Sequence, residues 1–212
     1  MFTFIRIPKS GSTSVMASIS KISDNYEKRH LTVKEILLDG QEHKFFTMIR
    51  NPIQQSVSMY YQSKTYVDQN LDYSDTPQPM LPPFIEHMNV IRQTDGLEEY
   101  LLSAPTNAFL GKYLSGMDPL DLAVVGHVDF MEKTRALFNA SMGFSVNPFW
   151  LKKNPLREKD FYGVSHATTL KFKSRNELEY SLYYKSLDVF NDSIPHSDSN
   201  SDSCSHSNST GL

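Results

Sequence analysis

The chain has one cysteine, Cys204, among 212 residues, which excludes a disulfide framework and a cysteine-based metal site. Long apolar runs are also missing. The longest, such as Phe45-Phe46 with Met48-Ile49 or Leu122-Ala123-Val124-Val125, reach about five residues where a membrane helix needs about 20. No membrane span is expected. Phe2-Thr3-Phe4-Ile5 is too short for the apolar core of a secretion signal and runs straight into Arg6, so a cytoplasmic location is expected. A uniform basic excess is absent too. Residues 1–64 carry nine Lys and Arg against five Asp and Glu, and residues 65–132 only Arg92 and Lys112 against eleven acids. Residues 150–175 swing back, with seven basic side chains against two acidic. Two basic segments around an acidic one suit a local anion site better than a nucleic-acid sheath, so no nucleic-acid partner is expected.

What is present suffices for a folded domain. Hydrophobic residues make up 39% of the chain, and a chain of this length buries roughly two-thirds of its unfolded surface. From Ser197 to Ser209 every second residue is serine, interleaved with polar residues, His206 and Cys204. Such a segment cannot offset its ordering entropy, so the expected division is a folded domain over 1–194 and a disordered serine-rich tail over 195–212.

The folded part reads as strands alternating with helices. Phe2–Ile7 predicts a first strand, followed by a helix capped at Ser12 or Thr13 with Val15, Ile19 and Ile22 at helical spacing. Thr32-Val33-Lys34-Glu35 has the capping-box pattern and predicts a short helix through Leu38. Phe45–Ile49 predicts a second strand, and Pro52 opens a helix to about Lys64. Residues 66–84 hold four prolines and no period, predicting a long surface excursion. Further on, the pattern predicts helix over Asn107–Leu114, strand over Leu122–Val125, and helices over Phe130–Met142 and Asn176–Asn191, the last with Leu178, Leu182 and Tyr183 on its apolar face. This alternation predicts an α/β fold with a mostly parallel sheet covered on both sides.

Two segments carry chemistry. In Arg6-Ile7-Pro8-Lys9-Ser10-Gly11-Ser12-Thr13-Ser14 a strand ends, small residues follow and a helix begins. That order aims backbone N–H groups and the positive helix end at one point, which favours a phosphate. Lys9 adds a mobile charge, and Ser10, Ser12, Thr13 and Ser14 add hydroxyl donors. An ordinary helix start with one surface lysine would share the pattern. The lysine precedes the glycine, so the GK[ST] ending of a magnesium-dependent nucleotide triphosphatase is absent. In the second segment Arg50 stands at the carboxyl end of a strand and Ser58 lies two turns into the next helix. An arginine fork and a serine hydroxyl suit a second phosphate, although a purely structural arginine would fit as well.

Taken together, Arg-x-Pro-Lys-x-x-Ser-Thr-Ser and Arg-Asn-Pro with Ser58 eight residues beyond Arg50 resemble the sulfotransferase superfamily, and within it the carbohydrate sulfotransferases related to heparan sulfate 2-O-sulfotransferase. Lys28-Arg29-His30-Leu31, Asn107 with Tyr113–Gly116, and Val124–Gly126 followed by Glu132–Leu137 extend the likeness over about residues 2–191. Departures stand at Gln55 or Ser56, where many relatives carry an arginine, and at His127 and Asp129, where Thr-Glu is commoner. The basic run Lys152, Lys153, Arg157 and Lys159 has no clear counterpart.

The resemblance implies a P-loop-like three-layer fold and sulfotransferase activity, while the short apolar runs lead to the expectation of a soluble enzyme, a departure from the membrane-anchored relatives. It would move a sulfuryl group from 3′-phosphoadenosine 5′-phosphosulfate (PAPS) to a hydroxyl, with a saccharide the favoured acceptor and no metal required. Residues 9–14 would hold the 5′-phosphosulfate, with Lys9 at the oxygen bridging sulfur and phosphorus. Arg50 and Ser58 would hold the 3′-phosphate. His30 falls where the resembled enzymes carry their catalytic histidine, and Lys28 and Arg29 beside it would keep it neutral. Tyr66–Glu99, with Tyr66, Tyr73, Phe84 and His87, is the expected acceptor wall, while His87, His127 or a carboxylate such as Glu27 is the reserve base. The competing classes are a small-metabolite kinase on the same fold and a nucleotide-binding module without activity.

Overall fold

The computed structural model describes residues 2–19, 31–70, 82–103, 109–142 and 163–193. Three short segments rich in aromatic and β-branched residues pair in parallel: β1 (Phe2–Ile5), β2 (Lys44–Ile49) and β3 (Val124–His127), in the order β1-β2-β3. Phe4 faces Phe46, which faces Val124; Ile49 pairs with His127 at the carboxyl end. From Phe45 to Ile49 every β2 residue is buried, as parallel strands covered on both faces require.

The period-two alternation assigns each residue a face. Phe4, Phe46 and Gly126 share one. Phe46 stacks on Phe4 at 4.9 Å and meets Phe138 edge-on at 5.5 Å. Phe138 belongs to α7 (Met131–Met142), which follows β3. His127 points the other way, 6.0 Å from the Tyr183 ring and 5.9 Å from Phe190. Both those rings belong to α9 (Glu177–Asp192). The protein is therefore a mixed α/β fold whose three-stranded parallel sheet lies between helices. Among the described residues no helix is long and apolar enough to cross a membrane.

Local signals set most of the helices. α1 spans Ser12–Ile19. The capping box at Thr32 forms as the sequence predicts: its hydroxyl accepts from Glu35 N–H while the Glu35 carboxylate accepts from Thr32 N–H. It opens α2 (Val33–Ile36), and a 3-10 turn over Leu37–Asp39 leads to β2. α3 runs over Pro52–Asp68, with Asn51 capping it and Pro52 in its first turn. α4 (Pro82–Ile91), α5 (Leu97–Ser103), α6 (Phe109–Leu114) and α8 (His166–Arg175) complete the set. Ile53, Val57 and Tyr60 of α3 form a second core with Ile91, Tyr100, Leu101, Phe172 and Tyr180.

Several expectations need correction. β1 ends at Ile5, two residues before the expected Ile7. Helix α1 starts at Ser12 itself, so Ser12 and Thr13 lie inside it rather than capping it. α3 continues past Lys64 to Asp68, with a Lys64–Asp68 ion pair of 2.9 Å closing the last turn. The excursion over 66–84 is thus helical at both its ends, because Pro82 and Pro83 sit in a helical first turn, where a missing N–H costs nothing. β3 begins at Val124 rather than Leu122: Pro119–Asp121 form a 3-10 turn, and the ladder engages only as the chain comes alongside β2. Leu178 is 69% exposed; the buried face of α9 is Glu179, Tyr180, Tyr183, Ser186 and Phe190. The helices α4, α5 and α8 were not expected. The tail over 195–212 lies outside the described residues.

Glu179 is the one acid on that buried face, 2% exposed. Its carboxylate accepts from Leu110 N–H at 2.5 Å and Gly111 N–H at 3.1 Å, satisfying the first-turn donors of α6. Burial outweighs those bonds and raises its pKa from the ordinary 4.5 to about 7. Between those values the folded state holds the proton more tightly than the unfolded chain. Stability from this group is therefore full below about pH 4.5 and lost as pH climbs to about 7. The expected change is about 3 kcal/mol. Urea midpoints across that range should fall with pH in the wild type and flatten in Glu179→Gln; an unchanged slope would show that Glu179 does not titrate there.

Candidate functional site

The loop after β1 lies at the carboxyl end of the sheet. Lys9 has φ of 62° and Gly11 of 80°, so the turn reverses hand twice within three residues. A backbone that alternates in this way gathers successive N–H groups toward one point. Gly11 is required for two reasons. Its φ disfavours a side chain, and a Cβ there would lie 2.9 Å from Val128 Cγ2, just beyond β3. Lys9 holds a similar φ with a side chain, a conformation that costs roughly 1–2 kcal/mol unless its surroundings hold it.

Those surroundings come from the β2–α3 segment. Arg50, 4% exposed, donates from Nη1 to the Lys9 carbonyl at 3.2 Å. Gln55 donates from Nε2 to the Pro8 carbonyl at 2.5 Å. Lys9 Nζ in turn donates to Gln62 Oε1 at 2.5 Å. The Ser10 hydroxyl closes the turn on the Ile7 carbonyl at 2.8 Å, and below it Thr47 Oγ1 donates to the Ile5 carbonyl at 2.8 Å. The two motif segments are thereby one assembly. Ser12 is buried, Ser14 half-buried and Thr13 exposed, so the hydroxyls differ in access. Half-buried Ser58 stands between Gln55 and Gln62 at helical spacing, on the face of α3 that meets the loop.

His127 ends β3 beside this assembly. Asp129 N–H donates to its Nδ1 at 3.2 Å, which leaves the ring proton on Nε2, donated to the Tyr183 hydroxyl at 3.0 Å. Burial lowers its pKa, Asp129 pulls it back and Arg50 lowers it further. Its backbone is fixed as well: Thr134 Oγ1 accepts from His127 N–H at 2.9 Å and donates to its carbonyl at 3.1 Å. A histidine with both ring nitrogens engaged is poorly placed to accept a substrate proton.

His87 departs from its expected place in an acceptor wall. It is 3% exposed, shares a 2.7 Å hydrogen bond with the Tyr100 hydroxyl and stacks on Phe109. Burial drives its pKa down to about 4, so it is a neutral core histidine. The stretch expected to form that wall contributes Tyr66 at the end of α3 and the α4 and α5 helices, while Tyr73 and the Phe84 side chain lie outside the described residues. His30, the basic run over 152–159, Asn107, Cys204, His196 and His206 also lie outside them. Among the described residues no group of three or more His, Cys, Asp or Glu is placed to hold a metal ion.

Gln62 is the participant that sequence reasoning did not single out, and Gln55 entered only as a departure from a family pattern. One signal was available: polar residues seven apart in an otherwise half-apolar helix share a face. No family model, characterised protein or solved structure matches this chain.

Proposed function

We propose that this chain is a PAPS-dependent sulfotransferase with a P-loop-like three-layer architecture, acting in the cytoplasm on a hydroxyl acceptor, a saccharide being the favoured class. One observation carries the reading. The Lys9 loop and Arg50 meet at the carboxyl ends of parallel strands, joined by the bond from Arg50 to the Lys9 carbonyl. Residues 9–14 would receive the 5′-phosphosulfate, and Arg50 with Ser58 the 3′-phosphate. Electrostatics and alignment supply the catalysis. The acceptor oxygen forms a bond to sulfur as the sulfur–oxygen bond to phosphate breaks. The bond's electron pair stays on the departing phosphate oxygen, where Lys9 meets the growing charge, and the acceptor proton passes to a base, assigned to His30. The reading requires no metal.

A thermal-shift panel with PAP (the desulfated product) and with ATP plus magnesium tests this. PAP is expected to stabilise the protein, and Arg50→Ala to weaken PAP binding more than tenfold, since a hydrogen bond to a charged group contributes roughly 1.5–3 kcal/mol. A His30→Ala chain should hold PAP yet transfer no sulfate. Stabilisation by ATP alone would replace this reading with a kinase, and PAP binding without transfer to any acceptor would indicate an inactive nucleotide-binding module.

A further inference from the structure

We propose that Gln62 is a positioning residue for Lys9, the neutral partner on which its ammonium rests before an anion takes it over; this rests on the reading of Lys9 as the cation facing the donor. The contact itself is one-directional. An ammonium only donates, so the Gln62 amide must present its oxygen to Lys9 Nζ, as it does at 2.5 Å. The amide nitrogen then faces away, toward the Tyr66 hydroxyl one turn further along α3 at 3.5 Å. Gln62 is half-buried and set two turns beyond Gln55, which holds the preceding residue of the same loop through the Pro8 carbonyl. Arg50 holds Lys9 by its main chain and Gln62 holds it by its side chain.

The choice of an amide has a chemical consequence. A carboxylate at position 62 would neutralise the ammonium and compete with an incoming phosphosulfate. A small apolar residue would leave a long side chain to wander, at a cost in lost rotamer freedom each time the ligand captured it. An amide oxygen localises the cation without cancelling its charge, so an incoming anion meets a placed donor. Gln62 acts in this arrangement through its contact with the cation.

The test uses full-length wild type, Gln62→Glu and Gln62→Ala with two readouts: PAP affinity, and the labelling rate of Lys9 by an amine-selective reagent, mapped by peptide mass. Gln62→Glu is expected to weaken PAP binding only about twofold to threefold and to slow Lys9 labelling about fivefold, within the size of an ion pair between partly exposed side chains. Gln62→Ala is expected to speed labelling and, where transfer is measured, to lower kcat while leaving the KM for PAPS near its wild-type value. A purely structural role would lower the melting temperature of both variants without changing the labelling of Lys9. Labelling unchanged in both folded variants would overturn the assignment of Gln62. Absence of PAP binding by the wild type would instead overturn the donor reading, with the labelling result still deciding whether Gln62 places Lys9.

Discussion

Lys9→Ala is expected to slow sulfuryl transfer by about 10²–10³-fold, the loss typical of removing one charge-stabilising donor from a preorganised site. The change should fall on kcat. Charge on the bridging oxygen is small in bound PAPS and grows as the bond to sulfur breaks, so a fixed cation there stabilises the transition state more than the ground state. Affinity for PAP should change far less than in Arg50→Ala, because the Lys9 carbonyl, and with it the loop, remains held by Arg50. Alanine also keeps a Cβ at φ of 62°, so the backbone cost at this position is unchanged and the variant isolates the charge. Single-turnover kinetics with saturating PAPS is the measurement. Normal turnover would remove Lys9 from its assigned role, whatever the result for Arg50.

Gly126→Ala is expected to be the most damaging single methyl in the sheet. A Cβ there would stand 2.4 Å from Thr134 Cγ2, 2.5 Å from Met48 Sδ and 2.9 Å from Phe138 Cζ. None of these neighbours has an easy retreat. Thr134 is bonded through its hydroxyl to both the N–H and the carbonyl of His127, and Met48 and Phe138 are wholly buried. Relief requires β3 and α7 to part, and overpacking of this kind costs about 3 kcal/mol or more. For a chain of this size that corresponds to a fall in Tm of roughly 6–12 °C. The loss should reach the site as well, since Val128 follows β3 and packs against Gly11 of the loop. PAP binding should therefore weaken together with stability. A Tm within about 2 °C of wild type would show that α7 yields without cost, and that the tight contact is not what seats it.

The sheet's strands were legible in the residues themselves, and so were most of its helices. Phe2–Ile5 and Phe45–Ile49 are short runs rich in aromatic residues, apolar except at Thr3 and Thr47, and they have the length and composition of parallel strands buried on both faces. The Thr32 capping box and the Pro52 helix start were readable because each depends only on residues within one turn. The candidate phosphate loop was readable for the same reason: a strand end, small residues, a lysine and a helix start are all local. Arg50 was placed correctly at a strand end, yet its bond to the Lys9 carbonyl joins residues 41 apart, which no local pattern encodes.

Tertiary structure decided which face each element turns inward. Leu178 falls on one helical stripe with Leu182 and Tyr183, but the sheet and the second core meet α9 along Tyr180, Tyr183 and Phe190, leaving Leu178 in water. His87 follows a proline-rich stretch that reads as a surface excursion; helix packing encloses it against Tyr100 and Phe109, where burial removes its charge. The contacts of Gln55 and Gln62 arise only when α3 is laid beside the loop, because an amide reads the same in sequence whether it faces solvent or a cation. Local covalent order determines strand, turn and helix through short-range sterics and hydrogen bonds. Burial, partner choice and charge state depend on what the rest of the chain brings to each side chain, and that is a property of the packed molecule.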